Sequence, residues 1–165
     1  TGSASHSDYK GSGYDRGHLA PAADMTWSKQ AMDESFFYSN MSPQTPSFNR
    51  GVWRKLESRI RKWVVDYDSL YITTGPVLDT NLTSIGKEVA VPDYFFKSII
   101  GFKDSVVNAI AFILPNEGSK KNLEDFVVSI DSLETFSGLN LNAKTDARLQ
   151  DSLEKTTCFT CWNFD

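Results

Sequence analysis

Asp15-Arg16-Gly17-His18 sets one of the chain's two histidines two residues after an arginine. The ordinary pKa of histidine, about 6.5, suits proton transfer near neutrality. Arg16 adds a permanent forked cation, a shape that matches phosphate oxygens. Further along, Asn49, Glu57 and Arg61 follow one another at spacings of eight and four. An amide oxygen such as that of Asn49 suits Mg²⁺, which prefers oxygen ligands and keeps much of its water. Glu57 could hold the waters of such an ion, and Arg16 and Arg61 could grip phosphate through paired donors. Hydrolysis of a phosphodiester needs these parts: a base for water, a cation on the phosphate oxygens, and donors for the developing charge.

Positioning them falls first to a helix. Val52, Leu56, Ile60, Trp63 and Val64 recur as one apolar stripe, which predicts a helix from Ser47, its cap, to about Tyr67. Asn49, Trp53, Glu57 and Arg61 are each four apart and follow a neighbouring stripe. Asn49 and Glu57 therefore lie about two turns apart on the same side, with Trp53 packed into the wall between them. Glu57 and Arg61 could also form an ordinary i,i+4 ion pair. Residues 1–14 are polar and Gly/Ser-rich, a loop by composition. A helix is expected over Ser28 to Ser35 with Ser28 as cap, a strand at Phe36-Phe37-Tyr38, and a loop from Met41 to Pro46 because of its two prolines. Strands are expected at Leu70 to Thr74, ended by Gly75-Pro76, at Val89 to Val91, at Tyr94 to Ile100 and at Ser105 to Leu114. Gly101 to Asp104 would turn the last two into an antiparallel hairpin. Asn122 to Thr135 and Thr145 to Lys155 read as helical or mixed. The aromatic residues after position 94 read as core.

A chain of 165 residues, 40% apolar and with 21 aromatic residues, fits one globular domain over residues 1–165. It contains no run of 18 apolar residues that would span a membrane. The net charge of −4 argues mildly against a polyanionic partner, but its distribution reverses that. Residues 1–63 hold nine Lys/Arg against six Asp/Glu, and residues 64–165 hold eight against fifteen. Arg50, Arg54, Lys55, Arg59, Arg61 and Lys62 crowd one short stretch with Glu57 as its one acid. A local basic face can bind a polyanion whatever the net charge. Arg50 and Arg54 join Arg16 and Arg61 as candidate substrate contacts. Cys158 and Cys161 read as a local disulfide or as two ordinary thiols, since no βαβ pattern precedes them and no further soft ligands lie near.

Asp15-Arg16-Gly17-His18, then Ser39-Asn40-Met41-Ser42-Pro43-Gln44, then Asn49, Gly51, Trp53 and Leu56-Glu57 resemble the sugar-non-specific DNA/RNA endonucleases. These are the ββα-metal (His-Me finger) nucleases related to Serratia nuclease and endonuclease G. The match continues more loosely through Thr73-Thr74-Gly75-Pro76 and Val91-Pro92-Asp93-Tyr94-Phe95-Phe96-Lys97, and so covers about residues 9–115. The resemblance implies an α+β domain with a mainly antiparallel sheet against the long 47–67 helix. It implies a Mg²⁺-dependent endonuclease, with Mn²⁺ as a substitute ion, that cuts DNA and RNA to leave 5′-phosphates. His18 would be the general base, Asn49 the direct metal ligand, Glu57 the orienter of metal-shell waters, Arg16 and Arg61 the phosphate contacts, Asn40 a supporting active-site residue, and Asp15 a support behind them. Members of the family have a further stretch before this motif, so an N-terminal segment is expected to be missing; with the absent initiator Met this suggests a secreted or periplasmic chain. The alternative is a nucleic-acid-binding protein that keeps the fold without turnover. Oligomeric state is not legible.

Overall fold

Four antiparallel strands form the main sheet of a computed structural model that describes residues 3–144 and 147–165. A short helix, α1 (His6–Tyr9), precedes β1 (Asp15–His18). After α2 (Lys29–Glu34), β2 (Met41–Gln44) returns antiparallel to β1, with Asp15 opposite Gln44 and His18 opposite Met41. Next come α3 (Pro46–Phe48), a π-helical turn (Asn49–Trp53) and α4 (Arg54–Asp66), run together as one interrupted helix. β3 (Ser69–Val77) is followed by a two-residue pair, β4 (Ser84–Ile85) and β5 (Val89–Ala90), then by the long hairpin β6 (Tyr94–Lys103) and β7 (Val106–Pro115). β8 (Val127–Val128), α5 (Ile130–Ser137) and α6 (Ala147–Lys155) follow, and the main sheet runs β3-β6-β7-β8. The expected α+β class and the antiparallel sheet against the α4 region are both present.

Alternation along the hairpin decides where each layer packs. Phe95, Ile99, Ile110, Phe112 and Leu114 face α4 and join Phe48, Val52, Trp53, Leu56, Ile60 and Trp63 in an aromatic core. Phe96, Ile100, Ala109 and Ala111 face the other way, onto Ile130, Leu133 and Leu153 from α5 and α6. Of the aromatic residues after position 94, expected as core, Phe95, Phe96, Phe112, Phe126 and Trp162 are buried, while Phe102, Phe136 and Phe159 are exposed.

Several local expectations are corrected. Ser47 does not cap the helix: Thr45 Oγ1 accepts from Phe48 N at 3.3 Å, Pro46 takes the first helical position, and Ser47 is exposed within the first turn. The helix is not regular from 47 to 67, because Gly51 adopts φ −104° and ψ −111° and the chain widens there into a π turn. Val64, counted in the apolar stripe, is exposed, while Val52, Leu56, Ile60 and Trp63 are buried. Phe36 and Phe37 form no strand and are exposed. Met41 to Gln44, expected as loop, is β2; Pro43 is tolerated because a two-stranded ribbon has only edge strands. Residues 1–14 include α1, with Asp8 and Tyr9 buried. β3 runs through Gly75-Pro76 to Val77, and the β6–β7 turn is the pair Asp104-Ser105, with Asp104 at φ 53°. Ser28 caps α2 as expected, accepting from Ala31 N at 3.0 Å. Cys158 and Cys161 form a disulfide. Thr145 and Asp146, from the stretch expected to be helical, lie outside the described residues.

Candidate active site

Asp15 stitches β1 to the start of the interrupted helix. Its Oδ2 accepts from Asn49 Nδ2 at 2.9 Å and from Arg50 Nε at 2.8 Å, and its Oδ1 accepts from Arg50 Nη2 at 2.6 Å. The Arg50 guanidinium, with help from Asn49 and against partial burial, holds the Asp15 carboxyl below the usual range. Its Nδ2 being given to Asp15, the Asn49 amide oxygen takes part in no hydrogen bond among the described residues. Arg50, expected as a substrate contact, is instead held in a bidentate pair with Asp15. Gly17 is required between these residues, since a Cβ there would overlap the buried side chain of Gln44.

His18 and Arg16 occupy alternate positions of β1 and so project from one face. The imidazole is half-buried and meets the Phe36 ring edge-on at 4.8 Å between centroids. Its Nε2 is enclosed with no hydrogen-bond partner among the described residues. Burial first, and the Arg16 charge second, lower the His18 pKa below its ordinary value, so the ring is neutral and basic at neutral pH. The backbone behind it is pinned at every step. Trp53 Nε1 donates to His18 O at 3.3 Å, Leu19 N donates to Asn40 O at 3.0 Å, and Asn40 brackets Ala20 with two side-chain bonds of 2.9 Å. Asn40 Nδ2 also donates to Ser35 O at 2.8 Å, so this side chain is engaged with backbone and braces the chain after His18.

Glu57 lines a cavity of about 220 Å³ with Leu19, Ala20, Asp24, Thr74 and Lys97. Burial pushes its pKa up to about 7, opposed by the charges of Lys97 and Arg61. Arg61 does not pair with Glu57: its Nη1 donates to Asp24 Oδ1 at 3.0 Å and its Nη2 to Ser58 Oγ at 3.1 Å. Arg54 faces elsewhere, into a groove shared with Lys55, Arg59, Lys62 and Lys121. The basic run thus divides between Asp15, which holds Arg50, Asp24, which holds Arg61, and this outer groove.

Lys97 is a site residue that side-chain type alone did not single out. It is 1% exposed, on the α4 face of β6 between Phe95 and Ile99. Its Nζ donates to Leu19 O at 3.3 Å and Thr74 Oγ1 at 3.2 Å, and lies 4.5 Å from the centroid of the Trp53 ring. Burial lowers its pKa to about 8, against the pull of Glu57 and Asp24. The signal was a lysine at an inward position of an otherwise apolar alternation. Among the described residues, Asp131, Glu134 and Glu154 bring carboxylate oxygens within 4.8 Å of one another, but on α5 and α6, across the sheet from this cavity.

The family model for DNA/RNA non-specific endonucleases matches residues 2–148. The chain is similar to mitochondrial endonuclease G of Bos taurus, 38% identical over 150 residues that cover 82% of this chain and 50% of that protein. It is similar to the mitochondrial nuclease of Saccharomyces cerevisiae, 40% identical over 170 residues that cover 90% of this chain and 52% of that protein. A chain in the crystal structure of the EndoG/EndoGI complex superposes with TM-score 0.81 at 33% identity, covering 89% of this chain and 66% of that one. The chain spans about half the length of these curated relatives. Both relatives are mitochondrial by name, which overturns the secreted or periplasmic location expected from the sequence.

Proposed function

The chain belongs to the DNA/RNA non-specific endonuclease family, and from that premise we propose that it hydrolyses phosphodiester bonds of DNA and RNA without strong sequence preference. The observation that carries the reading is the Asp15 hub: one carboxylate ties the strand of His18 to Asn49 and leaves Asn49 Oδ1 unengaged.

His18 Nδ1 takes the proton of the attacking water. Its depressed pKa keeps it a base at neutral pH. Arg16, exposed and on the same face of β1, holds a non-bridging phosphate oxygen. Arg61, paired with Asp24 of the cavity lining, adds a second phosphate contact. Arg54 and its groove lie outside this set and meet flanking phosphates; Arg50 serves by fixing Asp15. The donor set fits a hard divalent ion: an amide oxygen at Asn49 and a carboxylate at Glu57 that a cation would draw to its charged form. Asn49 would hold Mg²⁺ or Mn²⁺ directly and Glu57 would hold it through water. When bound, the ion supplies charge neutralisation at the phosphate and leaving oxygens. The expected products carry 5′-phosphates. The relatives' names support a mitochondrial location.

Incubation with plasmid DNA and with RNA, in Mg²⁺ and in EDTA, tests the reading. Degradation of both, dependent on the metal and abolished in His18→Ala while binding persists, is the expected result. Binding without cleavage by the intact chain would replace it with the nucleic-acid-binding alternative.

A further inference from the structure

We propose that Lys97 is a positioning residue, which locks the backbone behind His18 to the Glu57 wall of the cavity. The inference rests on the nuclease reading for its purpose, and on geometry for its content. Two successive carbonyls at the end of β1 are held by a stacked pair: Trp53 takes His18 O, and Lys97, lying over the Trp53 ring, takes Leu19 O. The same ammonium reaches across to Thr74 Oγ1 on β3. Thr74 in turn donates to Phe96 O at 3.1 Å, which ties the group into the sheet. One buried cation therefore joins β6, β3, the π-helical turn at Trp53 and the residue after the proposed base. The charged groups that face it are Glu57 and Arg61 from α4 and Asp24 from the turn after His18.

Stability alone does not account for this residue. Its strand neighbours on the same face are Phe95 and Ile99, and its partner across the hairpin is Phe112. An apolar side chain would fill the position without the desolvation penalty of an ammonium. What an apolar chain lacks is a donor for Leu19 O and a charge facing Glu57. A misplacement of about 1 Å can cost on the order of 10²-fold in rate, because proton transfer depends on reach.

Lys97→Met keeps the volume and removes the donor and the charge; Lys97→Arg restores both in another shape. Histidine NMR reads the effect directly, since the chain holds only His6 and His18. The His18 ring signals should move in Lys97→Met while those of His6 stay. On plasmid DNA with Mg²⁺, kcat should fall about 10–100-fold with KM little changed, and Lys97→Arg should recover part of it. A folded Lys97→Met with unmoved His18 signals and full kcat would overturn the proposal. If Lys97→Met does not fold, Thr74→Val removes one of the two anchors of the ammonium, and the same displacement of the His18 signals is required of it. A wild-type chain that binds DNA but never cuts it would sink the nuclease reading alone; the His18 signals would then decide the role of Lys97.

Discussion

The two faces of the β3-β6-β7-β8 sheet bury different things. Toward α5 and α6 the hairpin presents Phe96, Ile100, Ala109 and Ala111 to Ile130, Leu133 and Leu153, a plain apolar layer. Toward α4 it presents Phe95, Ile99, Phe112 and Leu114, and in their midst the ammonium of Lys97 beside a half-buried Glu57. Buried charge is costly unless paired and bonded. The α4 face holds a buried cation next to the strand that carries Arg16 and His18, whereas the far face buries one carboxylate, Glu154, which accepts from Asn142 Nδ2 at 3.1 Å. The acidic group at Asp131, Glu134 and Glu154 belongs to the outer layer, where Glu134 accepts from Leu141 N and Glu154 from Asn142 Nδ2 as local ties.

The sharpest break between the faces should come from His18→Ala. Loss of a general base costs on the order of 10²–10⁴-fold in rate, so plasmid cleavage should fall by that factor while the thermal midpoint stays within a few degrees. The removed ring leaves no bonded partner behind, since its Nε2 has none. Cleavage at the wild-type rate would remove His18 from the mechanism.

Leu133→Ala should do the reverse. Leu133 is fully buried on the far face, and a Leu→Ala change in such a place costs about 2–5 kcal/mol. The denaturant midpoint should drop accordingly, and cleavage per folded molecule should be unchanged. A loss of activity in the folded fraction would show that the two faces are not separate.

How much of this was legible in sequence follows the same division. The far face and α4 were readable because apolar residues recur there at the period of their element, as at Leu56, Ile60 and Trp63, or at Ile110 and Phe112. The region around β1 and β2 was harder. Met41 to Gln44 carries a proline and reads as loop, yet it is a strand that a local pattern could not reveal, because its partner, Asp15 to His18, lies far back in the sequence. Phe36 and Phe37 look like strand and stand exposed, Phe36 against His18. Asn49, Glu57 and Arg61 were found by type and spacing, but not their partners: Asp15 for Arg50 and Asn49, Asp24 for Arg61. Lys97 was hidden because its meaning lies in Leu19, Thr74 and Trp53, three segments that only the fold assembles.

Asp15→Asn probes the seam between sequence-visible and fold-made contacts. It keeps the size of the hub but removes the charge that Arg50 grips, and an amide nitrogen facing Asn49 can no longer accept its N–H. Partners that orient a metal ligand are worth about 10–100-fold in affinity or activity. The Mg²⁺ concentration for half-maximal cleavage should therefore rise by about that factor, with the fold retained. An unchanged Mg²⁺ titration would show that Asn49 is not oriented through Asp15.

The smallest effect distinguishes the faces by pH. In the metal-free protein burial pushes Glu57 up to about 7 from an ordinary 4.5, while burial and Arg16 lower His18 below its ordinary 6.5. The folded state therefore holds extra protons on Glu57 between about 4.5 and 7, and stability from that source is lost as pH rises through the window. His18 works in the opposite sense: its share is present above 6.5 and is lost as pH falls through its lowered folded pKa. Glu57→Gln removes the first slope, so its thermal midpoint should gain on wild type as pH rises from 5 to 8, by about 2–4 °C for each kcal/mol of linkage. Leu133→Ala, on the far face, should lower the whole curve without changing its shape. If the difference between Glu57→Gln and wild type is flat across that range, Glu57 titrates as an ordinary surface carboxylate. The charge buried near β1 would then be Lys97 alone, and the contrast between the faces would shrink to that one residue.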